Sequence, residues 1–320
     1  MRPYSTMRSL PWVPGFFVVA AALGACGGHD APSAAAGDAG DGGTGLQASI
    51  GPIDVPAGVE TTQCIVVPLG NTEDVVMNGY SASLSEGSHH LIVYLTTAAE
   101  QDDPVNCSPF TGLVAGTDMP IVFVNEKTET WAFPSGVGIT IPANQMVKVE
   151  GHYINSTASD LQGQGTVTFD YTPASSAPPF QPAGFDFYGT TNINIPPNAS
   201  VSTGPLYQAG IAGTHLISIT THQHRLGTGI QVWESSQPGD QGTQIANDMD
   251  WSTPSWTLLD PQFDFDGANG LTYQCSWTNT TDVAVSFGES ALDEMCFVGG
   301  YYYPSQGMDL CLNQKCRLRP

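Results

Sequence analysis

Turn-forming residues interrupt this chain so often that no long helix fits into it. Its 320 residues include 36 Gly and 24 Pro, and between them lie short runs rich in Val, Ile, Thr, Tyr and Phe. Residues 64–67, 90–95, 119–124, 147–152, 165–171, 215–221, 230–233 and 283–287 are such runs. Branched and aromatic side chains suit the pleated surface of a sheet, whereas Gly, Pro, Asn and Asp supply the turns between strands. No apolar stripe of helical period and useful length accompanies them. The pattern predicts an all-β protein of sandwich or jelly-roll type, not alternating β and α units. The proline-rich stretch 172–184 is read as a junction, and nothing in it suits a sheet. It divides the body into a first β-sandwich over 48–175 and a second over 176–320.

The amino-terminal segment reads differently. Arg2 and Arg8 precede an apolar run over 12–22, and Leu23, Gly24 and Ala25 then lead into Cys26. The run is too short for a permanent membrane span, so residues 1–25 are expected to be a cleaved export signal. The four residues ending at Cys26 resemble a bacterial lipobox, which implies acylation of Cys26 and a lipid anchor on the cell envelope, in the periplasm or at the outer-membrane face. Residues 26–47 are Gly, Ala, Asp and Ser with little to bury, the composition of a flexible tether. His29 lies in it and is given no role. Export leaves a mature chain of 295 residues (320 minus 25), enough for two cores.

A net charge of −22, with eight Lys and Arg in all, argues against nucleic acid or an anionic lipid surface as a partner. Membrane attachment is expected through Cys26 only. Beyond that residue the chain holds six cysteines, an even number that reads as three disulfides in an exported protein. C-x-x-C spacing, which a cysteine zinc site would want, is absent. Local economy favours Cys64 with Cys107, Cys275 with Cys296, and Cys311 with Cys316.

Of seven histidines, six remain to be placed. His222 and His224 close an alternating run, so two imidazoles project from one face near a strand end. His89 and His90 follow Gly87, and adjacent residues share a metal only where the strand backbone is irregular. His152 ends another run and offers a third nitrogen. Met295 precedes Cys296, whose bridge to Cys275 would hold the backbone still. Two imidazoles with a thioether form a soft set that favours copper, Cu(I) above all. Taken singly, each histidine reads first as a polar loop or strand-end residue, and Met295 as core.

Taken in order, these motifs (His89-His90, His152-Tyr153, His222-x-His224, and Asp293-Glu-Met-Cys296) resemble the copper type II, ascorbate-dependent monooxygenases, the family of peptidylglycine and dopamine hydroxylation. The resemblance implies two coppers per chain, one in each domain, facing each other across a solvent-filled cleft. His89, His90 and His152 fall on its electron-transfer site, and His222, His224 and Met295 on its oxygen-binding site. His215 falls on a histidine outside the ligand set, expected to be buried and hydrogen-bonded. Where the peptide-acting members hold a substrate carboxylate, this chain has Thr220, Phe297 and Gly299, and its tail is more like that of the dopamine-acting members. A second-domain cysteine that relatives pair with the tail is missing, which agrees with a local Cys311–Cys316 bridge.

The activity so implied is hydroxylation of a C–H bond in a small substrate, using dioxygen and ascorbate or another one-electron donor. No side-chain acid, base or nucleophile is called for, and the Asp and Glu residues are read as surface. The alternative is a copper-binding or copper-buffering lipoprotein without turnover. Two chemically different ligand sets favour the enzyme, since a buffer has no use for two redox environments.

Overall fold

Antiparallel alternation dominates the backbone. The computed structural model describes residues 45–319 apart from 111–117 and 253. The expected export signal, Cys26 and most of the expected tether lie outside them. Among the described residues the elements are strands, as the turn-rich pattern predicts.

The first half builds two sheets. One runs in the order β1 (Gln47–Val55), β10 (Leu161–Pro173), β3 (Val75–Leu84), β8 (Val137–Ile141) and β11 (Gln181–Pro182), with β7 (Thr128–Ala132) also on β3. The other runs β5 (Val105–Asn106), β2 (Glu60–Pro68), β9 (Met146–Ile154), β4 (Ser88–Thr96) and β6 (Met119–Val124). The second half again builds two large sheets. The first is β19 (Thr257–Phe265), β16 (Thr214–His222), β22 (Phe297–Tyr303), β12 (Gly184–Gly189), β23 (Met308–Leu312) and β24 (Lys315–Arg319). In the second, β14 (Ala199–Ser202) and β15 (Leu206–Ala209) both pair with β20 (Gly270–Asn279), followed by β17 (Gly227–Ser235) and β18 (Gln244–Asp248). A small pair, β13 (Asn194–Ile195) with β21 (Val285–Ser286), completes the set.

Burial tells which strands have one wet face. β1 and much of β10 alternate exposed with buried residues, whereas β4 and β12 are buried almost throughout. A strand covered on both faces reads as a continuous apolar run, and here the second cover comes from the other half of the chain. One hydrophobic cluster takes in Met77, Tyr80, Ile92 and Phe123 together with Phe185, Phe187, Met295, Phe297 and Tyr301. Polar contacts cross the same boundary. The Tyr301 hydroxyl donates to the Ile121 carbonyl at 2.9 Å, and Trp256 Nε1 to that of Phe123 at 2.9 Å. Trp131 lies 5.4 Å from Trp256 and 5.6 Å from Tyr301, ring centre to ring centre.

Cysteine pairing follows local economy: Cys64–Cys107, Cys275–Cys296 and Cys311–Cys316. Two details correct the sequence reading. The stretch 172–184 does enter a sheet, because Gln181 and Pro182 pair in parallel with Val137 and Gly138 at an edge, where a missing N–H is tolerated. The run 283–287 shrinks to Val285–Ser286, while β12 and β22 had no clear signal, since glycines break their apolar alternation.

Candidate metal centre

His89 and His90 share a site because β4 is irregular there. Ser88 opposes Tyr153 and His90 opposes His152, so His89 is an extra residue in the ladder. Such a bulge turns one side chain out of strict alternation. Gly87, at φ 80°, makes the turn that precedes it. The result puts the rings of His89 and His90 5.3 Å apart, with His152 5.1 Å from His90 across the strand pair and 5.3 Å from His89.

His222 ends β16, and His224 follows in a tight turn closed by Gly227 N–H on the His224 carbonyl at 2.9 Å. Their rings are 5.2 Å apart. A buried carboxylate organises this turn. Glu294 accepts from His224 N–H at 3.1 Å, Leu226 N–H at 2.6 Å and Trp277 Nε1 at 2.9 Å. Burial lifts its pKa to about 7, against the opposing pull of those donors. His224 Nδ1 lies 3.2 Å from the Asp293 carbonyl oxygen, which fixes the ring and directs Nε2 elsewhere. Met295 comes next in the chain, fully buried, with the Cys275–Cys296 bridge beside it.

The two sets of histidines do not face each other across a solvent-filled cleft. His89 is 5.3 Å from His222 and 6.0 Å from His224, and His90 is 5.4 Å from His222, all ring centre to ring centre. Nitrogens of His89, His222 and His224 lie within 4.8 Å of one another, close enough to hold one ion. The shared core explains the difference from expectation, because it draws the halves together at this point.

Copper ligands must be unprotonated, and these imidazoles are kept so. Burial, reinforced by the neighbouring histidines, pushes His89, His90 and His222 well below the ordinary range, and His224 down to about 4. Nε2 of His89, Nδ1 of His152 and both nitrogens of His90 and of His222 are buried without a hydrogen-bond partner. An unsatisfied buried polar atom costs about 1–3 kcal/mol, so several at one point mark a place built for something else to satisfy them. Neutral imidazoles, with the buried Met295 two residues along the chain from the carbonyl that holds His224, fit copper.

Comparison with known proteins bears on this centre. Residues 190–317 match the copper type II ascorbate-dependent monooxygenase, C-terminal domain. This part of the chain belongs to that family. The matched residues include His222, His224 and Met295, while His89, His90 and His152 lie before them. No curated protein matches the chain in sequence. Among solved structures, the major capsid protein P2 of bacteriophage PM2 aligns at TM-score 0.35 and 6% identity, over 82% of this chain and 99% of that one. The Sulfolobus turreted icosahedral virus structure aligns at TM-score 0.21 and 8% identity, over 82% and 60%. The CBM22 tandem of Paenibacillus barcinonensis Xyn10C gives 0.16 and 10%, over 75% and 82%.

Around the family's ligand positions the structure adds residues that no motif in the sequence announces. Glu60, on β2, bridges the halves: Oε1 lies 2.8 Å from His152 Nε2 and accepts from Ala291 N–H at 2.7 Å, and Oε2 accepts from Ser290 at 3.0 Å. The carboxylate makes His152 Nε2 the protonated nitrogen, which leaves the Nδ1 lone pair for a metal. Phe110 sits 5.2 Å from His90 and 5.5 Å from His222, in a left-handed backbone conformation with φ 57°. A non-glycine residue there is strained by roughly 1–2 kcal/mol. The buried Glu150 accepts the Phe110 N–H at 3.1 Å and the Tyr94 hydroxyl at 3.1 Å, which holds the ring over the histidines. Trp251 lies 5.7 Å from His89.

The reading of all acids as surface therefore fails for Glu150, Glu294, Asp186 and Asp309, which are buried. Single-residue polarity cannot foresee that backbone N–H groups will converge on a carboxylate. His215 also departs from expectation. It pairs with Asp264 at 2.6 Å and stacks on Tyr303 at 4.8 Å, but its side chain is 33% exposed.

Proposed function

We propose that this chain is a copper-dependent monooxygenase that hydroxylates a C–H bond of a small substrate with dioxygen and ascorbate or another one-electron donor. The observation that carries the reading is the buried group of five histidines, four of them with unpartnered nitrogens, inside and beside the family-matched segment that also holds the buried Met295. His222, His224 and Met295 would hold the copper at which oxygen reacts, and His89, His90 and His152 a second copper. Bound there, copper would supply one-electron chemistry with dioxygen.

The chain's own residues have a geometric task. Glu294 and the Asp293 carbonyl orient His224, Glu60 orients His152, and the phenylalanines around His222 exclude bulk water. Thr220, Phe297 and Gly299 present no cation near His222, so a substrate carboxylate would be desolvated without a partner. That favours hydroxylation of the dopamine-enzyme kind over peptide amidation. The chain is read as exported and held to the bacterial envelope by acylated Cys26, with the sandwiches dividing near residue 175.

A second reading has one observation in its favour: His89, His222 and His224 alone can converge on one ion, as a copper-buffering lipoprotein would need. Copper content separates the two. Two coppers per chain, falling to one in His90→Ala with the Met295 site retained, supports the enzyme. The deciding assay is product analysis by mass spectrometry after copper-loaded protein meets ascorbate, dioxygen and a panel of phenethylamines, glycine-extended peptides and small aromatics. No oxygenated product from any of them, with a single copper per chain, would overturn the proposal.

A further inference from the structure

The last hairpin of the chain holds a disulfide with two unlike ends. Cys311 of β23 and Cys316 of β24 are register partners on adjacent antiparallel strands, and β24 closes the order of its sheet. Cys311 is buried, whereas Cys316 is exposed. In the Cys275–Cys296 bridge, by contrast, both residues are fully buried. A nucleophile therefore finds one sulfur of the tail bridge open to it, and attack at Cys316 makes Cys311 the leaving group.

That leaving group has an acid beside it. Asp309 lies two residues before Cys311 on β23, hence on the same face, with Oδ1 3.5 Å from Cys311 Sγ. A disulfide sulfur carries no hydrogen, so the hydrogen in this contact belongs to the carboxyl. The surroundings keep it there. Asp186 and Tyr188 of β12 are the register partners of Asp309 and Cys311, and both are buried. Tyr302 of β22, also buried, donates its hydroxyl to the Gly307 carbonyl at 2.6 Å. None of these neighbours is a cation that would stabilise a carboxylate, and burial lifts Asp309 to about 6 and Asp186 well above its ordinary value.

Cys316 stands in different company. Gln208 Nε2 of β15 donates to its Sγ at 2.7 Å. Lys315 and Arg317, on either side of it in the chain, are exposed cations whose Cα atoms lie about 3.8 Å from its own. In a chain of net charge −22 with eight Lys and Arg in all, this is a rare point of attraction for an anionic thiolate. Reactive cysteines sit in accessible, electropositive surroundings and inert ones in apolar burial. The tail bridge has one of each.

We propose that Cys311–Cys316 is a thiol–disulfide exchange site that takes two electrons from a small dithiol, with Asp309 as proton donor to Cys311. One thiolate of the dithiol attacks Cys316 Sγ, the S–S bond breaks, its electron pair goes to Cys311 Sγ, and the Asp309 proton follows it. The second thiolate of the reductant then attacks the reductant's own sulfur in the mixed disulfide, which releases Cys316 as a thiolate beside the Gln208 amide. The reductant leaves as a cyclic disulfide. Its two thiol protons have gone to water, and Asp309 and Cys316 take two back, so the protein ends with two thiols.

The test uses full-length mature protein with its three bridges formed. In dithiothreitol, alkylation and peptide mass spectrometry should show Cys311–Cys316 opening at least tenfold faster than Cys275–Cys296. With the monothiol glutathione, the acid-quenched adduct should sit on Cys316. The opening rate per thiolate should fall at least fivefold between about pH 5 and pH 8, across the titration of Asp309, and Asp309→Asn, which keeps the size and loses the transferable proton, should flatten that profile. Opening no faster than Cys275–Cys296, glutathione carried on Cys311, or the same profile in Asp309→Asn would each overturn the proposal. If Asp309→Asn fails to fold, the unmutated protein decides alone: a flat profile removes the proton donor.

Discussion

Glu60 offers the sharpest test of how the centre is held. Among the described residues it is the one carboxylate that touches a histidine of the first set and the segment leading to Met295 of the second. Hydrogen bonds to a charged group contribute about 1.5–3 kcal/mol each. Partial exposure of Glu60 and the non-additivity of contacts sharing one carboxylate bring three of them to about 2–4 kcal/mol in total. Glu60→Ala should therefore lower unfolding free energy by about 3 kcal/mol, measured by urea denaturation of the metal-free protein. Glu60→Gln keeps a carbonyl for Ala291 N–H and should cost about 1 kcal/mol. The metal readout is more telling than stability. Loss of a residue that orients a ligand weakens metal binding by about 10–100-fold, and here both sets should suffer: His152 loses its partner, and the chain before Met295 loses its tie to β2. Copper titration with electron paramagnetic resonance should show both signals perturbed in Glu60→Ala and partly restored in Glu60→Gln. A stability change under about 0.5 kcal/mol, or a perturbation confined to one copper, would refute the idea that this carboxylate joins the two sets.

Three further outcomes follow from the structure. Met295→Ile should keep Cu(II) on His222 and His224 while Cu(I) affinity and ascorbate-dependent oxygen chemistry fall, seen by copper analysis beside an activity assay; turnover at the normal rate would place the chemistry elsewhere. Asp186 and Asp309 lie side by side on β12 and β23 with Tyr188 and Tyr302 around them, and burial raises both carboxyls, Asp309 to about 6. Folding there favours the protonated forms, so this pair contributes most below the unfolded value near 4 and its contribution is lost as pH rises through about 6. Asp186→Asn should then raise Tm at pH 7 more than at pH 4, and an equal gain at both would contradict the burial argument. Cys26→Ser should release the protein from membranes or block its processing, checked by fractionation of cells carrying each form; unmutated protein found wholly in the soluble fraction would dispose of the anchor.

The clustering of the histidines is legible because metal chemistry restricts residue type and because strand alternation restricts which neighbours can cooperate. The irregularity that His89 and His90 demand appears as the bulge at His89, after Gly87. The disulfides are legible too, since joining each cysteine to its neighbour in the sequence gives the observed bridges. What the sequence did not disclose is long-range: Glu60 is 230 residues from Ser290, and no local pattern links them. Glu150 and Glu294 looked like ordinary surface acids because the N–H groups that satisfy them come from Phe110, His224 and Leu226. The close approach of the two histidine sets is hidden for the same reason, being fixed by aromatic packing between distant strands.

That packing has a consequence for how the chain behaves as a heritable and expressible unit. The segment recognised by family, 190–317, omits Phe185 and Phe187 and lacks the surface that covers Tyr301 and Met295. Excised on its own, it would present those side chains to water, a continuous sticky area of the sort that drives aggregation. Heating the intact body should give one calorimetric transition with no separate melting of either half. Damage to a ligand strand such as β4 would then be felt as lost yield of the whole protein, including the half that carries Met295.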